Sequence, residues 1–137
     1  MKKQKQLFLI SLLSLAGLLT YTWTVLLFTD PLATWRHYIG LMLFAVVLFL
    51  YTRNFAKAVV ATGIYLILAT CNLLALTPSI TTTRFGLNIG PDGLYTPPFQ
   101  LLSLGIFIAY FFINLKALIH IQLDYQEAKA LRMQNKT

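Results

Sequence analysis

Apolar residues run through this chain in four long blocks, Leu7–Phe28, Tyr38–Thr52, Ala58–Leu76 and Phe99–Leu115, each closed by a charge or a proline. A helix needs about 20 predominantly apolar residues to cross a hydrocarbon core ~30 Å thick, with roughly 17–25 seen in practice. The first and third blocks meet that length. The fourth sits at its lower edge, and the second reaches it through flanks in which Trp35, Tyr38 and Tyr51 suit the membrane interface and Arg36 and Arg53 can snorkel. The predicted fold is an all-α antiparallel bundle of four transmembrane helices, with spans at about 7–28, 35–52, 58–76 and 98–117. Pro97-Pro98 reads as the start of the last span and Pro78 as the end of the third. Past Lys116 the helix is expected to run on as an amphipathic tail over 118–137, because Leu118, Ile121, Tyr125 and Ala128 recur at helical spacing and His120 can meet Asp124 across one turn.

Composition narrows the setting. At 58% hydrophobic and 11% charged residues, the chain lacks the polar coat a soluble domain of 137 residues needs. One compact unit is expected. The net charge of +7 does not point to nucleic acid, since its basic residues cluster at the ends of apolar blocks. Lys2, Lys3, Lys5, Arg53, Lys57, Lys116, Lys129, Arg132 and Lys136 fall on one side of a four-span layout, leaving Arg36 and Arg84 on the other. The positive-inside rule then puts both termini and the Arg53–Lys57 connection in the cytoplasm, with a bacterial cytoplasmic membrane as the expected location. Ser14-Leu15-Ala16 offers a small-x-small cleavage site, but cutting there would leave a short apolar core, so an uncleaved first span is expected.

No Asp, Glu, Lys, Arg or His lies within the four blocks, which counts against a proton-driven transporter or an ion pump. The blocks carry small and weakly polar residues instead. Ala58, Thr62, Tyr65, Ala69, Asn72 and Leu76 form one stripe, and Ser103, Phe107, Tyr110 and Asn114 another. Gly105 and Ala109 make a small-xxx-small pair, and Ser11, Ser14, Leu18 and Tyr21 line up in the first block. In lipid, helices associate through close packing and interhelical hydrogen bonds, so these stripes mark expected contacts. Asn72 and Asn114 read first as glue between helices and second as the lining of a pathway. Cys71, the single cysteine, reads as a small buried side chain in a helix interface.

The Thr77–Pro98 segment carries a period-2 pattern, with Thr83, Phe85, Leu87 and Ile89 alternating with Arg84, Gly86, Asn88 and Gly90. Gly90-Pro91-Asp92-Gly93 is a turn signal and Leu94-Tyr95-Thr96 a returning strand, so a small β-hairpin in the outer loop is expected. Its glycines match neither phosphate-binding loop spacing. Arg36, Arg84 and Asp92 are the candidates for contact with a partner or a lipid headgroup, with Asp92 better explained by its turn. Asp30 and His37 could form a base and its orienter, yet no nucleophile elbow, zinc-protease motif or Cys/His cluster accompanies them. No catalytic residue, cofactor or metal is expected. The functional expectation is a noncatalytic accessory or assembly subunit of a larger membrane complex, partnered by the bilayer and by another membrane protein or a second copy. The alternative is a small transporter, channel or lipid-handling protein working as a homo-oligomer.

Overall fold

A computed structural model describes residues 2–29, 33–80, 82–83, 86–87, 94–95 and 98–134. Four helices dominate it: α1 (Lys2–Phe28), α2 (Trp35–Arg53), α3 (Phe55–Thr70) and α4 (Leu101–Gln134). Two-residue strands β1 (Gly86–Leu87) and β2 (Leu94–Tyr95) pair antiparallel, Gly86 opposite Tyr95 and Leu87 opposite Leu94. The remaining positions of the alternating stretch, 84–85 and 88–90, lie outside the described residues. Arg84, Asp92, Asp30 and the Gly90–Gly93 turn lie outside the described residues. Thr83 and Phe99 exchange both backbone hydrogen bonds, at 2.9 and 3.1 Å, and so close the base of the outer segment.

Three helices, α1, α2 and α4, are long and apolar enough to cross a membrane; α3 is apolar but shorter, at 16 residues. Two boundaries differ from expectation at α3. It begins at Phe55 because Asn54 caps it, with Oδ1 accepting from the Lys57 N–H at 3.1 Å. Asn54 also ends α2, its own N–H reaching the Leu50 carbonyl at 2.7 Å, so one residue makes the whole turn. At the other end α3 stops at Thr70, well short of Leu76. Asn72 sits at φ 60°, and the N–H groups of Leu73 and Asn72 return to the carbonyls of Leu68 and Ala69, each at 3.0 Å. This is a Schellman ending with asparagine in the left-handed position, which Asn tolerates better than other residues with a Cβ. Leu74, Ala75 and Leu76 continue as irregular but buried chain. Helix α4 starts three residues later than the prolines implied, at Leu101, because Phe99 is engaged with Thr83.

The core is assembled by all four helices. Phe8 of α1 is fully buried and stands 5.5 Å from the Phe55 ring, 5.7 Å from Tyr51 and 6.4 Å from Tyr110. Helix α4 packs most extensively on α3 and much less on α1. The inward face of α1 is Phe8, Leu12, Leu15, Leu19 and Thr22, which corrects the expected stripe: of its members Ser11 is buried, Leu18 is half-buried, and Ser14 and Tyr21 are exposed. The helix is apolar on every side, so periodicity alone could not choose its face.

Candidate functional site

The bundle has two chemically different ends. At the loop end, the irregular segment after α3 has backbone carbonyls that no helix satisfies, and unsatisfied carbonyls are costly where water is excluded. Three of them, on Leu74, Leu76 and Thr77, are met by side chains from three different parts of the bundle. Thr22 of α1 donates to the Leu76 carbonyl at 2.7 Å. The His37 ring of α2 reaches the Thr77 carbonyl through Nε2 at 3.0 Å, while its Nδ1 accepts from the Thr34 N–H at 3.1 Å. A carbonyl can only accept and an N–H can only donate, so the proton belongs on Nε2. Gln100, at the head of α4, donates from Nε2 to the Leu74 carbonyl at 2.7 Å and to Asn72 Oδ1 at 3.1 Å. Its Oε1 accepts from Ser103 at 2.9 Å and its backbone N–H reaches the Thr70 carbonyl at 3.0 Å. Gln100, His37 and Thr22 are all buried. The first turn of α2 also meets this segment directly. The Ala75 N–H bonds the Arg36 carbonyl at 3.3 Å, and a Cβ on Gly40 would come within 3.2 Å of the Ala75 carbonyl.

The basic end is built differently. Asn114 is 2% exposed, and its amide nitrogen donates to Ser11 Oγ and to the Tyr110 carbonyl, both at 3.1 Å. The second contact fixes which end of the amide is nitrogen. Its Oδ1 is buried with no hydrogen-bond partner among the described residues. Tyr110 donates its hydroxyl to the Val59 carbonyl at 2.6 Å, tying α4 to α3. A cleft of about 400 Å³ opens between α1 and α4, lined by Lys3, Gln4, Leu7, Asn114, Lys116 and their neighbours.

The expected site residues therefore separate. Asn114 and Tyr110 lie together at the α4 interface, with Tyr65 buried on α3 against Phe44 at 6.2 Å between ring centres. The Tyr65 hydroxyl has no hydrogen-bond partner. Asn72 is outside the α3 helix, on the opposite end of the bundle from Asn114, and turns the chain rather than continuing a stripe. Gly105 and Ala109, expected at a helix contact, are exposed; a Cβ on Gly105 would meet nothing within 4 Å, and Ala109 borders a cavity of about 210 Å³ between α1 and α4. Cys71 is likewise exposed, since the helix ends at it and the chain turns away. Arg36 is half-buried and lies over the Trp35 ring, 5.5 Å from its centre. His120 and Asp124 share a second cleft, of about 540 Å³, with Asn54 and Phe55. Gln100, Thr22 and Gly40 were not among the expected residues. Gln100 alone had a readable signal, being the longest polar side chain inside an apolar block.

The chain matches no family model, no curated protein and no solved structure.

Proposed function

We infer that this chain is a noncatalytic subunit that docks to another membrane protein through the extension of α4. In this reading four segments cross the bilayer, α3 completing its crossing with the buried Leu74–Leu76 segment, and both termini face the cytoplasm with the basic end. The observation that carries the docking role is the length and exposure of α4. Its 34 residues make a rod about 51 Å long at 1.5 Å per residue, well beyond a ~30 Å core. Leu118 and Ile121 pack against the bundle, but every described residue after Ile121 is exposed, including Tyr125 and Ala128 on the same stripe. Isolated helices of about 12–15 residues are marginal in water, so an apolar stripe that outruns its own bundle is best stabilised by a partner surface.

The polar groups in the spans favour the same reading over a pathway. Asn72, Thr22 and Gln100 spend their side-chain hydrogen bonds on other parts of the chain, as glue would. Affinity purification of the tagged chain in mild detergent tests the proposal. A membrane protein should copurify in defined proportion, and Tyr125→Glu with Ala128→Glu should release it without changing the melting temperature of the purified chain. Recovery of a lone homo-oligomer that conducts a specific solute in liposomes would refute it.

A further inference from the structure

The cleft between α1 and α4 at the basic end combines three features that the docking role does not use. Its mouth carries two exposed ammonium groups, Lys3 and Lys116. Its wall includes Asn114, whose buried Oδ1 lacks a donor. Its third side is apolar, through Leu7 and Ile113. Ile113 also borders a second cavity of about 210 Å³ higher in the same α1–α4 groove, with Ile10, Leu18, Ile106 and Ala109. Ile106 stands about 15 Å along α4 from Lys116, half the depth of a ~30 Å hydrocarbon core.

We propose that this groove holds one anionic phospholipid, of the phosphatidylglycerol type. The phosphate lies between Lys3 and Lys116. The glycerol-ester region passes Asn114, and an acyl chain follows the groove past Ile113 to Ala109. Basic pockets between membrane helices favour anionic headgroups, and each part of this one has a counterpart on such a lipid. A zwitterionic lipid with a quaternary amine would bring a further cation to the two lysines. The site is independent of what docks on the α4 extension, and its acyl chain covers the exposed Ala109.

The test is thermal melting of the full chain in detergent, with added phosphatidylglycerol, phosphatidylcholine of the same acyl chains, or free glycerol phosphate. Phosphatidylglycerol should raise the melting temperature by about 3 °C or more at saturation, and the other two should not. Lys3→Gln with Lys116→Gln should abolish the shift, whereas Lys129→Gln with Arg132→Gln on the tail should keep it. An equal shift from phosphatidylcholine would remove the headgroup argument, and an equal shift from glycerol phosphate would remove the acyl groove. A normal response from the Lys3/Lys116 variant would overturn the site. Should that variant fail to fold, native mass spectrometry of the wild-type chain decides: retention of one phosphatidylglycerol in preference to phosphatidylcholine supports the proposal, and indifference ends it.

Discussion

The loop end and the basic end of this bundle use polar side chains in opposite ways. At the loop end Thr22, His37 and Gln100 reach across from α1, α2 and α4 to the carbonyls of a single irregular segment. No donor on those side chains is left over, and the segment is buried among them. At the basic end aromatic packing around Phe8 holds the helices, while Asn114, in the wall of an open cleft, has a buried Oδ1 with no donor among the described residues. The loop-end groups hold backbone, whereas Asn114 ties α4 to Ser11 of α1 with one end of its amide and leaves the other unused. Burial alone does not separate the two, since Gln100 and Asn114 are 3% and 2% exposed; the partners do.

That contrast predicts a graded set of outcomes. Gln100→Leu should do the most damage, about 2–4 kcal/mol, because it orphans the Leu74 carbonyl and removes the partners of Asn72 and Ser103 together. Thermal melting in detergent measures it, and a loss no greater than that of Asn114→Leu would erase the distinction between the ends. Gly40→Ala comes next, at roughly 1–3 kcal/mol, since the new methyl meets the Ala75 backbone at 3.2 Å and backbone yields poorly. Asn72 offers a sharper comparison. Asn72→Gly removes only the bond to Gln100, whereas Asn72→Leu adds the left-handed penalty, so the leucine variant should be less stable by about 1–2 kcal/mol. Asn114→Leu should cost less, on the order of 0.6–1.7 kcal/mol for an interhelical hydrogen bond in lipid. The smallest effect, within about 0.5 kcal/mol, belongs to Tyr125→Glu with Ala128→Glu on the extension. Added to Gln100→Leu, it should leave that variant's loss unchanged, because distant sites act additively.

Much of the helical layout was legible because apolar blocks of the length a membrane crossing needs show openly in the sequence. The inward placement of Ser103, Tyr110 and Asn114 followed from their spacing on a helix that packs closely on α3. The same reasoning misjudged Ser14 and Tyr21 on α1, where apolar residues surround the helix and large side chains compete for the core. It also carried α3 through Asn72, although an asparagine six residues before Pro78 is a readable ending once the left-handed position is considered. Thr22 and His37 could not be foreseen as partners of Leu76 and Thr77. Each pair is separated by 40 or more residues, and the need for a partner arises only because the chain leaves the helix at that place.

Sequence by itself determined that this protein's helices are apolar enough for a membrane, that its charges gather at block ends, and that its few polar span residues are uncharged. Those properties are set by composition and local order, which lipid reads directly. Tertiary structure decided which face of α1 turns inward, that the third apolar block is part helix and part buried loop, and which polar groups are consumed. A carbonyl's partner and a cleft's lining are matters of three-dimensional proximity. The fate of Asn114 Oδ1 depends on α1 standing where it does.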